Sequence, residues 1–276
     1  MKDVADRVVD VFSERPLAGN ALCVVLDPCP EELMPGIARE VNLSETTFPT
    51  VTAEGAYRSR IWTPGGELPF AGHPTLGTAW VLGPGRWEQT SAGAVVTVDV
   101  DAGGARMQQP VPAFAAQPPD PARAALRLRS SVGTWTADAA GIRHVVTITE
   151  DPIDELTVDL DAVKAVTAEA GATTCAVVRR VSDDVLHVRV FVPAMGIPED
   201  PGTGSAAGPI AVLAHEELGT ATTVTIRQGD EVGRPCRIGV EVDAAGPYVS
   251  GRVSACAEGR FTLGNIIVPR ERALSH

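Results

Sequence analysis

Arg60-Ile61-Trp62-Thr63-Pro64 and Arg189-Val190-Phe191-Val192-Pro193 decide how this chain is read. Both run basic, β-branched, aromatic, β-branched, proline, at an offset of 189 − 60 = 129 residues. Leu68-Pro69 meets Ile197-Pro198 at the same offset, and after a small gap Ala79 and Val81 meet Ala211 and Leu213. Such a match points to a duplicated α+β unit. Each copy is predicted to hold the same parts. The first has an amphipathic helix over Glu31 to Glu40, a strand over Tyr57 to Thr63, a Pro-Gly-Gly loop and an apolar helix over Leu76 to Leu82. The second has a helix over Asp161 to Ala170, strands over Thr173 to Arg180 and His187 to Val192, a Gly-rich loop at Asp200 to Ser205 and an apolar helix over Ala206 to Leu213. A helix apolar all round belongs inside, so each half is expected to wrap a sheet around one helix.

Ahead of the first copy, strands are expected over Arg7 to Phe12 and Ala21 to Leu26, separated by a turn through Pro16 and Gly19-Asn20. The Pro-rich stretch from Pro110 to Pro121 reads as the linker. The halves are expected at residues 1–115 and 122–263, with 264–276 returning to the first half. A chain of 276 residues is also long enough for two domains to be the better prior.

Composition removes several function classes. Asp and Glu number 35 against 23 Lys and Arg, a net charge of −12 with no basic cluster, which argues against a nucleic-acid binder. No apolar run approaches the roughly 18 residues that a membrane span needs, and Met1-Lys2-Asp3-Val4 lacks the layout of a signal peptide. The five cysteines form no CxxC pair, which suggests buried thiols in a reducing cytoplasm. Lys2 and Lys164 are the only lysines, and neither is placed to carry a pyridoxal Schiff base.

Both apolar helices follow a Gly-rich turn. Gly72-His73-Pro74-Thr75 puts Pro at a helix start, and Gly204-Ser205-Ala206-Ala207 offers a Ser cap and no bulk. Free N–H groups and the positive dipole end make each junction an anion site. Two of them facing across a cleft would hold a small carboxylate, through Gly72, Thr75, Gly204, Ser205 and Ala206. Either alone could equally be an ordinary capped helix. Gly202 to Ala207 also fits a GxGxxG/A dinucleotide pattern, but two prolines separate it from its strand, where that fingerprint must follow directly. A nucleophile elbow fails because Thr203 and Ala207 replace its glycines. The histidines show no metal-binding spacing, and no metal is expected.

Three ionisable residues stand out. Glu45 lies among small and apolar neighbours, a setting that raises a carboxyl's pKa toward neutrality and suits proton transfer. His73 lies at a helix start, where the dipole favours the neutral ring. Asp200 precedes the second Gly-rich loop. Each could instead be structural: a solvated cap, a buried core histidine, a loop cap.

Together these stretches resemble the PhzF-type family of phenazine-biosynthesis isomerases. The residues that carry the likeness are Val9 to Phe12 with Pro16 to Asn20, then Asn42 to Thr46, then Glu67 to Thr75, and Asp200 to Pro209. The resemblance implies a diaminopimelate epimerase-like α+β fold, with two pseudo-symmetric halves, each a curled, mainly antiparallel sheet around a central helix. It implies an active site in the cleft with Glu45 as acid/base and Gly72, His73, Asp200 and Ser205 beside it. It also implies no cofactor and a homodimer. Cofactor-independent epimerases of this fold use two cysteines, at positions matched here by Ala71 and, with a small alignment uncertainty, Ala207. Glu45's counterpart at offset 129 is Thr174, so the acid/base is not duplicated. The expected reaction is therefore an allylic proton transfer in a small unsaturated carboxylic acid. An epimerase of the same fold, a non-catalytic carboxylate binder and a nucleotide-dependent oxidoreductase are the alternatives.

Overall fold

A computed structural model describes residues 3–139 and 141–263. The first half runs β1 (Val4–Val11), β2 (Asn20–Val25), α1 (Met34–Val41), β3 (Glu45–Ala53), β4 (Ala56–Thr63), β5 (Gly66–Leu68), α2 (Gly72–Leu82), β6 (Gly85–Thr90), β7 (Val95–Asp101) and β8 (Gly104–Gln108). Then come β9 (Ala113–Gln117), α3 (Pro119–Ala125), β10 (Gly133–Ala139), β11 (Ile142–Ile148), α4 (Leu160–Ala170), β12 (Thr174–Arg180), β13 (Val185–Val192) and β14 (Ile197–Asp200). The chain continues with α5 (Gly204–Leu218), β15 (Thr223–Gln228), β16 (Cys236–Asp243), β17 (Gly246–Gly251) and β18 (Val253–Phe261). The fold is α+β.

The duplication is visible in strand pairing. Parallel β2 and β3 set Leu22 opposite Glu45, and parallel β11 and β12 set His144 opposite Thr174. Likewise β4 runs parallel to β6, and β13 to β15. The two sheets join where β8 pairs antiparallel with β17. Each half also receives its outer strand from the end of the other. β9 leaves the first half to pair with β10, and β18 leaves the second to pair with β1. The Pro-rich linker thus carries a strand and the start of α3. The return to the first half begins at Val253, inside the range 122–263 read as the second half. The segment 264–276 lies outside the described residues.

The two apolar helices form the centre of one core that spans both halves. α2 and α5 pack with Val9, Val11, Leu22, Val188, Val190, Ile238 and Val249, all essentially fully buried. α2 starts at Gly72 rather than Leu76, because Pro74 in the first turn lacks an N–H that the helix could not use anyway. α5 extends to Leu218, a turn beyond the apolar run. Its last turn shows Glu216 and Glu217 to solvent and ends at Gly219 in the left-handed region, φ +64°. No described helix is long and apolar enough to cross a membrane.

At their N-termini the helices meet. A Cβ on Gly72 would lie 2.6 Å from the Gly204 carbonyl carbon and 2.6 Å from the Ser205 nitrogen, so only glycine lets the two backbones approach this closely. The halves are also clasped from outside. Arg234, in the turn before β16, donates to the buried Asp10 carboxylate and to the carbonyls of Ala18 and Gly19.

Candidate active site

A cavity of about 130 Å³ lies between the halves, beside the two helix N-termini. Its walls obey the duplication. Glu45 and Thr174, Thr63 and Val192, and Leu68 and Ile197 all line it, each pair related by the offset of 129. Ala71 and Thr203 also line it, and they are the N-cap residues of α2 and α5. The register that places Gly72 on Gly204 therefore matches Ala71 with Thr203. Ala207, the position taken from the likeness to epimerases, lies one turn further into α5. Neither N-cap is cysteine. Much of the remaining wall is apolar, from Pro69, Phe70, Ile142 and Met195.

Glu45 opens β3 just after the short loop that follows α1, and both its burial and its company are unusual for a carboxyl. It is 9% exposed, and its Oε2 lies 3.1 Å from His73 Nε2. Burial pushes its pKa well above the usual carboxylate range, and the negative charge of Asp200 adds to the rise. Burial pushes His73 down to about 3. The pair is therefore a neutral imidazole beside a carboxyl whose charged form is disfavoured by burial, and not an ion pair. The helix dipole is not needed to explain the neutral ring.

Asp200 ends β14 and is 8% exposed. Burial raises its pKa, against hydrogen bonds that favour its charge. Thr203 Oγ1 donates to Oδ2, and Asn20 Nδ2 donates to Oδ1 at 2.8 Å. Gln228 pins the same loop, donating from Nε2 to the Asp200 carbonyl at 2.8 Å and accepting at Oε1 from the Thr203 N–H. Both Asp200 oxygens are thus engaged, whereas Glu45 Oε2 has no aligned donor.

The remaining predicted site residues divide. Ser205 lines the cavity. Gly72 and Gly204 form the close helix contact beside it. Ala206 lies in the first turn of α5 with its N–H directed to the Thr203 carbonyl. Thr75 does not reach the cavity. Its hydroxyl donates to the Ala71 carbonyl and accepts from Gln89, which holds it inside α2. The Ser cap expected at Ser205 is absent as well: Thr203 is the N-cap, and no side chain caps the helix. One thiol approaches the second junction in space though not in sequence. Cys236 packs beneath Gly202, buried and with its pKa pushed up.

Sequence reading left out Asn20, which is fully buried and touches both halves of the site. Its signal was a single Asn heading the apolar run Ala21 to Val25, since an amide in that position must find partners inside. It also left out His144, whose Nδ1 lies 2.8 Å from Thr174 Oγ1. Pro209 cannot donate to the Ser205 carbonyl four residues earlier, and that freed carbonyl faces the His144 ring. Burial still holds His144 down to about 4.

Two other places were weighed. An open depression of about 600 Å³ lies where β8 meets β17, but its charged groups, such as Glu14 and Arg252, face solvent. Asp154, His187 and Glu231 cluster outside the cleft. There His187 Nε2 sits 2.7 Å from Glu231 Oε1, a direct hydrogen bond, and Asp154 is largely exposed.

Comparison with known proteins agrees with the geometry. A family model described as phenazine biosynthesis-like protein, PhzC-PhzF, matches residues 9–259. A trans-2,3-dihydro-3-hydroxyanthranilate isomerase of Pseudomonas aeruginosa is 37% identical, covering 93% of this chain and 98% of its own. One from Pseudomonas fluorescens is 34% identical, covering 95% and 98%. The crystal structure of a PhzF-family protein from Bacillus anthracis shares the fold with a TM-score of 0.83 at 21% identity, over 95% of this chain and 99% of that one. A probable proline racemase from Agrobacterium radiobacter shares it at 0.64 and 10% identity, over 95% and 94%. With its fold, its near-complete family match and relatives this similar along their whole length, the chain belongs to the PhzC-PhzF family and is an isomerase.

Proposed function

We propose that the protein moves a proton between two carbons of a small unsaturated carboxylic acid, with Glu45 as the single acid/base. The observation that carries this reading is the asymmetry of a symmetric cavity. Glu45 lines it from one half, and Thr174 occupies the equivalent place in the other. Inversion at carbon needs a base on one face and an acid on the other. Asp200, the other carboxyl on the wall, is held at both oxygens by Asn20 and Thr203 and is better suited to orient than to carry a proton.

In this mechanism the substrate's carboxylate lies at the N–H groups of Gly72, His73, Gly204 and Ser205, which open α2 and α5 ahead of the first bonds to the Ala71 and Thr203 carbonyls. Glu45, as carboxylate, takes a proton from an activated C–H. The negative charge spreads through the conjugated system, and the same N–H groups stabilise it. Protonated Glu45 then delivers the proton to the distal carbon. A pKa raised above the carboxylate range suits one group to both steps. Cavity size supports a compact substrate: about 130 Å³ compares with the ~150 Å³ of an engineered cavity that binds benzene.

The natural probe is trans-2,3-dihydro-3-hydroxyanthranilate, the compound named for the relatives. Incubated with the enzyme in D₂O and followed by NMR, it should show its double bonds displaced. Configurational inversion with the double bonds in place would support the epimerase reading. Saturable binding without either change would support a carboxylate binder.

A further inference from the structure

We propose that Asn20 is the positioning residue of this site: it fixes His73 as the tautomer with hydrogen on Nε2, so that His73 presents a donor to Glu45 and cannot take its proton. The proposal deepens the reading of Glu45 as acid/base, and it follows from which groups can only accept.

Asn20 opens β2, and its Nδ2 is within hydrogen-bond distance of three atoms. These are Asp200 Oδ1 at 2.8 Å, the Gly202 carbonyl at 3.0 Å and His73 Nδ1 at 3.2 Å. A carbonyl accepts in every protonation state, so Gly202 fixes the orientation of the amide: the NH₂ must face it, because the flipped oxygen would oppose it. An amide nitrogen is not an acceptor. A hydrogen on His73 Nδ1 would therefore point at N–H groups and find no partner in a buried site, which is costly. The two amide hydrogens of Asn20 are shared among its three neighbours, so Nδ1 takes the longest of these contacts as an acceptor, and in a neutral imidazole the hydrogen is then on Nε2. That nitrogen lies 3.1 Å from Glu45 Oε2. The N–H is not yet aimed squarely at the oxygen, as is common for catalytic contacts before substrate binds.

The consequence is a division of labour. His73 supports Glu45 in its carboxylate form and offers it no lone pair, so the proton that Glu45 collects has no exit through the imidazole. The charged or titratable groups around Glu45 are His73 on α2 and Asp200 on β14. Asn20 ties those two together. Gly19 is held in turn by Arg234 and by the Pro235 carbonyl, so the clasp between the halves ends one residue from the amide.

The test is the nitrogen NMR of the ¹⁵N-histidine-labelled wild-type enzyme, with His73 assigned from an H73N sample. The expected spectrum shows Nε2 protonated and Nδ1 as an unprotonated acceptor between pH 6 and pH 8. A hydrogen on Nδ1 overturns the proposal without touching the role of Glu45, which activity measurements judge separately. Asn20→Leu keeps the volume and removes the donor. It should mix the two tautomers and lower kcat by about 10²-fold, the scale of a misplaced catalytic group, with a smaller change in KM. It should also move the acidic limb of kcat/KM upward, because the Glu45 carboxylate loses a donor. An N20L enzyme with the wild-type tautomer and limb also overturns the proposal. If N20L does not fold, the wild-type spectrum decides alone.

Discussion

Glu45 is the residue proposed to carry the proton, and its environment predicts a pH profile. Burial and Asp200 both raise its pKa, so the carboxylate needed to take a proton is lost at a higher pH than for an ordinary glutamate. The acidic limb of kcat/KM should lie well above 4.5, Glu's ordinary value. His73, held near 3, does not titrate in that range. Asp200→Asn removes the like charge, and the limb should move down toward the ordinary range even as kcat falls. A limb left in place in D200N would mean that Asp200 does not act on Glu45 through charge. Local sequence allowed this burial without deciding it, since a lone Glu between a helix and a strand reads as readily as a solvated cap. The partner Asn20 was not legible. A lone polar residue in an apolar strand declares only that it has partners, and here they are Asp200 and Gly202 from 180 residues or more away.

At the scale of elements, two helix N-termini packed head to head make the site. Their apolar cores were plain from composition, and so was a Gly-rich turn before each. The face each presents was not. Thr75 is the fourth residue of α2 and Ser205 the second of α5, and Gln89 and the Ala71 carbonyl hold Thr75 inside while Ser205 reaches the cavity. The contact itself gives a clear prediction. Gly72→Ala places a methyl 2.6 Å from the backbone of α5, where no flexible side chain can yield. Overpacking of this kind costs about 1–3 kcal/mol, measurable as a shift in the urea midpoint. Activity should fall further than stability, since the displaced atoms are the N–H groups proposed to hold the substrate. A G72A enzyme with wild-type kcat/KM would remove those N–H groups from the mechanism.

On the scale of the whole molecule, duplication accounts for the fold and frames the proposed reaction. The offset of 129 was readable because strand ends and prolines repeat in register. The strand exchange was hidden, because β9 and β18 have their partners in the other half and local pattern cannot report them. Duplication built a cavity with matched walls, and the pair Glu45 and Thr174 differs between them, which is the asymmetry behind the proposed one-sided proton transfer. The most direct measurement is turnover of trans-2,3-dihydro-3-hydroxyanthranilate by Glu45→Gln against wild type, with binding of the product measured in parallel. The account predicts that kcat falls by at least the 10²–10⁴-fold typical of a lost general acid/base while product affinity stays within a few-fold. An E45Q enzyme that turns over at the wild-type rate would contradict it.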